Sequence, residues 1–277
     1  MAKKAGNKLG ERFELAQDNP VPRFIGSIDG EVGTGKTYFA CTAPAPIFYG
    51  NLDLGLNGVV EQFIKDGKEI YVPDGGGYEW SGGDVEDDDD DGDHNLQEAA
   101  QAVRAQWEKD AYYAIKNGAR TLVVDTESRF WQVYRYAEFG APNADNQPDY
   151  DVLNQRFEKI INVCKKKNIN LIMLRSMKDD WGMHGKSKKT PGKASFGRGG
   201  RKVWGYSHLV DAMEVELTLV HRTPKQVAED EEALGEYVMR FGKCRFNVSL
   251  QFTTHTRGDF ADVGTLMLPD TSREDWQ

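Results

Sequence analysis

Residues 30–37 read Gly-Glu-Val-Gly-Thr-Gly-Lys-Thr, and no other stretch limits the fold of this chain so tightly. They satisfy G-x-x-x-x-G-K-[ST], a loop that wraps its backbone around phosphate. Gly30, Gly33 and Gly35 let the chain turn closely enough for its N–H groups to point inward at phosphate oxygens. A helix leaving such a loop adds its positive end to the same anion site. Lys36 then reaches the outer phosphates, and the Thr37 hydroxyl is placed to hold Mg²⁺. Glu31, Val32 and Thr34 fill the loop and Tyr38 follows it, so 30–38 is the expected nucleotide-binding segment. The flanks agree. Phe24 to Ile28 reads as a short buried strand, and Tyr38 to Cys41 as helix ending before Pro44.

The rest of the chain alternates as a parallel α/β sheet requires. Pro46 to Leu52 reads as the second core strand, ending at Asp53. Leu56 to Lys65 carries a helical apolar face, and Glu69 to Val72 is another strand. Asn95 and Glu98 form a capping box, after which Ala99, Val103, Trp107, Ala111 and Ile115 recur at helical spacing until Gly118. That helix leads into Thr121-Leu122-Val123-Val124-Asp125, a buried strand closing on a carboxylate suited to hold Mg²⁺ through water. Helices are expected from Glu127 to Tyr136 and from Asp149 or Asp151 to Lys167, then a parallel strand from Asn170 to Ser176. Ala212 to His221 and Glu236 to Phe246 are β-like runs joined by a charged loop, which reads as an antiparallel hairpin. The expected fold is α/β: a mostly parallel sheet flanked by helices, with a C-terminal antiparallel edge hairpin. Residues 1–20 are expected as an N-terminal arm, 21–255 as the domain, and 256–277 as an acidic, loosely patterned tail.

The net charge of −9 over 277 residues is unevenly spread. Asp84 to Asp93 holds eight carboxylates inside 74–94, a glycine- and aspartate-rich stretch expected as an acidic, disordered surface loop with almost nothing to bury. Lys178 to Lys202 holds eight cations inside 177–205, which carries many glycines and no periodicity. Cys41, Cys164 and Cys244 form no ligand pair, and no apolar run approaches membrane-spanning length. Reduced thiols in a cytoplasm, with no membrane partner, are the expectation.

In an open parallel sheet, ligands bind beyond the carboxyl ends of the strands. The phosphate loop, Asp53, Asp125 and Ser176 all fall there. Phosphoryl transfer needs charge stabilisation and an oriented nucleophile more than covalent chemistry. Lys36, Thr37 and a Mg²⁺ poised by Asp125 supply the first. For the carboxylate that orients the attacking water, Asp53 is the first candidate and Glu127 the second; each also fits a helix cap or a surface charge.

With these residues the chain resembles the RecA-like branch of P-loop ATPases, and more narrowly phage-encoded RecA-core ATPases of single-strand annealing and recombination. The resemblance covers roughly residues 21–255 and rests on Gly30–Thr37 with Thr121–Asp125 as the Walker pair, on Asn51-Leu52-Asp53, and on Lys243-Cys244-Arg245. Asp53 lies where RecA proteins carry a catalytic Glu. Lys243 and Arg245 are similar to the K-x-R finger that such ATPases insert into a neighbour's nucleotide site, and they also fit two exposed strand charges. Arg175-Ser176 stands where the family has a sensor Gln. The basic stretch occupies the place of the family's DNA-binding loop, which implies backbone contacts from Lys178, Lys186, Lys188, Lys189, Lys193, Arg198, Arg201 and Lys202. Phe13-Glu14-Leu15-Ala16 has the F-x-x-A form with which recombinases dock on a neighbour, and equally fits an amphipathic turn on its own domain. The resemblance implies ATP and Mg²⁺ as cofactors and single-stranded DNA as partner. It also implies a homo-oligomer with its site at the subunit interface, a single-stranded DNA-binding protein as a further partner, and a host cytoplasm. Two other readings stand beside it: a nucleotide-gated DNA-binding or decoy protein with weak hydrolysis, and a P-loop small-molecule kinase.

Overall fold

The computed structural model describes residues 22–52, 55–56, 58–80, 92–140, 151–179, 201–203, 209–230 and 232–277. Its strands are β1 (Ile25–Gly30), β2 (Ile47–Asn51), β3 (Ile70–Tyr71), β4 (Thr121–Asp125), β5 (Asn170–Asp179), β6 (Arg201–Val203), β7 (Val215–His221), β8 (Tyr237–Cys244) and β9 (Thr254–Thr256). They form one sheet in the order β3-β2-β4-β5-β1-β7-β8-β9, with β6 paired to β5 off this path. From β3 to β7 every neighbour is parallel, while β8 and β9 run antiparallel. This is the expected α/β architecture. The central strands are buried along their whole length, as strands covered on both faces must be.

The helices are α1 (Lys36–Cys41), α2 (Val60–Lys65), α3 (Gly92–Lys116), α4 (Glu127–Phe139), α5 (Asp151–Lys167), α6 (Leu209–Ala212), α7 (Pro224–Ala228) and α8 (Phe260–Met267). Strand alternation divides the core in two. Ile25, Phe48, Leu122, Val124, Leu171 and Met173 face α3, α4 and α5, with Trp107 and Phe130 at their centre. Ile28, Tyr49, Val123, Ile172, Leu174 and Leu217 face α1 and α8.

Several sequence expectations are corrected. Residues 256–277 do not make a loose tail. Asp259 caps α8 through a capping box, and Phe260 packs on Phe24 at 5.4 Å and on Trp276 at 6.1 Å. Trp276 is 1% exposed and fills the space over Gly264, where a Cβ would collide with its ring. The acids of this segment conceal a short apolar face that closes the core. The expected edge hairpin has a third strand, because β9 pairs with β8. Within the expected loop 74–94, Tyr78 and Trp80 are buried, and the Tyr78 hydroxyl donates to Asp110 at 3.1 Å. That stretch therefore does have something to bury; α3 also begins at Gly92, ahead of the expected Asn95. The expected arm 1–20, most of the acidic run, and the segment 180–200 lie outside the described residues.

Candidate functional site

The phosphate loop leaves β1 at the carboxyl edge of the sheet. Gly33 and Gly35 have φ of +82° and +89°, a left-handed conformation that a side chain would strain. Gly30 has a different reason to be glycine: a Cβ there would meet the Thr34 hydroxyl at 2.5 Å and the Leu219 carbonyl at 2.8 Å. Thr34 is buried and donates to the Glu31 carbonyl at 2.9 Å, which fixes the turn from inside. Val32 at the apex is fully exposed. Lys36 folds back over the loop and donates from Nζ to the carbonyls of Gly30 (2.7 Å) and Glu31 (2.9 Å). Its ammonium is thus held at the mouth of the cradle.

Beneath the loop, two expected Mg²⁺ ligands meet through a residue that was not expected. The Tyr49 hydroxyl donates to the Asp125 carboxylate at 2.6 Å. Burial and the Asp125 charge push the Tyr49 phenol well above its ordinary range, while a side-chain hydrogen bond with Thr37 opposes that shift. Thr37 from α1, Tyr49 from β2 and Asp125 from β4 therefore converge on one point. The donors are hard oxygens, and among the described residues no group of three acidic, His or Cys side chains could hold a metal alone. A Mg²⁺ shared between one or two protein oxygens and phosphate fits this set. ATP fits the cradle by its glycines and by the position of Lys36.

Beside them lies a buried ion cluster. Arg175 of β5 grips Asp29 with two hydrogen bonds of 2.5 and 2.6 Å, and its Nη2 also reaches Glu216 of β7 at 2.8 Å. Asp29 and Arg175 are 2% and 3% exposed. Burial pushes the Asp29 carboxyl up to about 6 against the pull of Arg175. Glu127, the first residue of α4, is fully buried and lies within the field of Arg175. The second candidate for orienting water is thus part of this cluster, not an exposed cap. Asp53, the first candidate, lies outside the described residues, directly after Leu52, whose N–H extends the β2–β4 pairing to the Asp125 carbonyl at 2.7 Å.

Lys243 and Arg245 are not near their own phosphate loop. Gly30 aligns with Leu219 and Met239, whereas Cys244 aligns with Val215 and Gly26. Four rows separate the two positions, roughly 13 Å of strand. There Lys243 Nζ and Arg245 Nη2 both donate to the Asp211 carbonyl, at 3.3 and 3.0 Å, and Lys165 Nζ to the Ala212 carbonyl at 2.6 Å. The two side chains do point the same way, and they cap the carbonyl end of α6. Of the basic stretch, Lys178 lies at the end of β5 and Arg201 and Lys202 on β6, where Lys178 pairs with Lys202 and Asp179 with Arg201. The ends of the expected loop are thus an antiparallel ribbon extending β5. Lys186, Lys188, Lys189, Lys193 and Arg198 lie outside the described residues.

Two site residues carry no local sequence signal. Tyr49 looks like any core aromatic, and Arg257, just past β9, donates from Nη1 to the Thr34 carbonyl at 3.3 Å from 223 positions away. A cavity of about 800 Å³ lies elsewhere, between β2, β3 and α3, and includes none of these residues.

No protein-family model and no curated protein matches this chain. Among solved structures, one described as the crystal structure of the RadB recombinase is similar to it, at 14% identity over 84% of this chain and 87% of that one, with a TM-score of 0.42.

Proposed function

We propose that this chain is a RecA-like, Mg²⁺-dependent ATPase that works as a homo-oligomer on single-stranded DNA in recombination or strand annealing. The observation that carries the reading is the meeting of Thr37, Tyr49 and Asp125 below the loop that holds Lys36. The strand order supports it, since β5 lies between the loop strand β1 and the carboxylate strand β4. In this reading Lys36 leaves the Gly30 and Glu31 carbonyls for the outer phosphates, and Thr37 and Asp125 hold Mg²⁺. That ion neutralises charge on the phosphates when bound. Tyr49 fixes the Asp125 oxygens, and Asp53 or Glu127 orients water. Lys243 and Arg245, out of reach of their own loop, serve a neighbouring copy's site. The β5–β6 ribbon carries the basic segment along a DNA backbone.

The exposed side chains of Tyr71, Val72 and Tyr113 border the cavity at the β3 edge. A second reading, DNA binding with weak hydrolysis, has one observation in its favour. Arg175, where the family's sensor Gln stands, spends its donors on Asp29 and Glu216.

The test is ATP binding and turnover by the purified chain and by Lys36→Ala, with and without single-stranded DNA. Wild type should turn ATP over faster with DNA, and the variant should lose binding while keeping its fold. Equal turnover by both proteins sinks the phosphate-loop assignment. Binding without turnover selects the second reading.

A further inference from the structure

Three carbonyls of the phosphate loop accept from cations, and the cations come from different places. Lys36, part of the loop, donates to Gly30 and Glu31, whereas Arg257 reaches the Thr34 carbonyl from beyond β9. The Arg257 backbone is itself anchored, its N–H donating to the Tyr237 carbonyl at the start of β8 at 3.0 Å. Its guanidinium is flanked by the Tyr237 ring at 4.7 Å and the Tyr38 ring at 5.6 Å. It lies so close to the loop that a Cβ on Gly35 would collide with Nη1. Among the described residues no carboxylate forms an ion pair with Arg257, so no stronger acceptor draws it from Thr34.

Thr34 stands between Gly33 and Gly35, both at positive φ. Glycines on either side let the peptide units of such a loop turn over at little steric cost. The unit joining Thr34 to Gly35 is trans, so its C=O and its N–H point in opposite directions. A donor that holds the Thr34 C=O on the β8–β9 side therefore turns the Gly35 N–H the other way. The following unit is fixed separately, because the Phe39 N–H donates to the Gly35 carbonyl at 2.9 Å in the first turn of α1.

Resting on the nucleotide reading above, we infer that Arg257 is a positioning residue that locks the Thr34–Gly35 peptide with its N–H turned into the phosphate cradle. An inward N–H donates to an anion; the same unit turned over would present a carbonyl oxygen and repel it. Lys36 releases the Gly30 and Glu31 carbonyls when it meets phosphate, so it does not hold loop and ligand at once. Arg257 keeps its carbonyl throughout and acts through Thr34 without touching the ligand. Its effect is therefore the same for any ligand that carries the phosphates.

The experiment is displacement of a fluorescent ATP analogue by ATP and by inorganic tripolyphosphate, on wild type, Arg257→Ala and Arg257→Lys. Amide hydrogen exchange is followed in parallel on the ligand-free proteins. Arg257→Ala should bind both ligands about tenfold more weakly, the scale of one hydrogen bond involving a charged group. Its amides at 30–37 should exchange faster than in wild type, with β1 and β5 protected as before. Arg257→Lys still carries a donor and should recover part of both effects. Unchanged tripolyphosphate affinity in Arg257→Ala overturns the inference. Weaker binding of both ligands with loop exchange unchanged also overturns it, because Arg257 would then act only as a nearby positive charge. Faster exchange throughout β1 and β5 overturns it too, since Arg257 would then support the fold and not the loop. A wild type that binds neither ligand defeats the nucleotide reading itself; the exchange comparison then still decides whether Arg257 holds the loop.

Discussion

The two ends of the central strands each pair a buried carboxylate with an arginine, and they differ in how they hold their other charges. At the carboxyl end, Arg175, Asp29 and Glu127 are buried, and guanidinium and carboxylate are matched atom to atom. At the amino end, Lys165, Lys243 and Arg245 lie nearer water and donate to the carbonyls that finish α6. Charges taken out of water must be paired, because an ion left alone in the interior costs several kcal/mol. Charges at the surface carry no such obligation, and their contribution to stability is small. The carboxyl end therefore holds its buried charges in matched pairs. The amino end keeps its cations where an approaching anion can meet them.

The difference is sharpest at Arg175. Arg175→Met leaves the buried Asp29 and the partly buried Glu216 without their cation and should cost about 3–5 kcal/mol in urea unfolding. A loss below about 1 kcal/mol would mean that the cluster is wetter than its burial indicates. Removing the Tyr49 hydroxyl is a smaller insult to the same end. Tyr49→Phe deletes a hydrogen bond to a charged group, worth about 1.5–3 kcal/mol. It should also raise the Mg²⁺ concentration needed for nucleotide binding several-fold; an unchanged Mg²⁺ midpoint would detach Tyr49 from the metal site.

The titration of Asp29 gives the next effect. Its folded value, raised to about 6, exceeds the ordinary 3.8, so the folded protein holds this proton where the unfolded chain has released it. Stability from this group is therefore greatest below about pH 4 and falls as pH rises through 6, by at most about 1.4 kcal/mol per pH unit. Asp29→Asn should flatten that slope, and a slope left intact would assign it to another group. The smallest effect on the fold belongs to the amino end: Arg245→Ala should cost less than about 0.5 kcal/mol. If this end serves a neighbour, Arg245→Ala protomers mixed with Asp53→Asn protomers should recover ATPase activity. No recovery from assembled mixtures would leave Arg245 as a cap of α6 and nothing more.

What the sequence made legible was local. The loop at 30–37, the strand ending at Asp125 and the helical spacing from Ala99 to Ile115 each lie within a few turns of chain, and the structure has strand, loop and helix there. What stayed hidden depends on contacts between distant positions. Arg257 reaches Thr34 only because β9 adds to β8 and turns the chain back toward the loop. Tyr49 becomes more than a core aromatic only when β4 lies beside β2 with Asn51 level with Asp125. The apolar side of α8 (Phe260, Val263 and Met267) is too short to show a period among its acidic neighbours. The stems at 177–179 and 201–203 read as loop because they bound a basic stretch with many glycines and no apolar period, whereas the pairing is set by the backbone.

The late position of α8 has a consequence for synthesis. Phe24, beside the first strand, and Phe39, in the first helix, both pack on Phe260, at 5.4 and 6.0 Å, and Trp276 seals Phe260 in turn. A ribosome must therefore translate past Trp276 before the phosphate-loop strand can cover this face. The parallel sheet already relies on distant pairings, which form slowly. Until this segment clears the exit tunnel, Phe24 and Phe39 lack their Phe260 cover, and the Thr34 carbonyl lacks Arg257. The loop at 30–37 is thus finished by chain made 223 residues after Thr34.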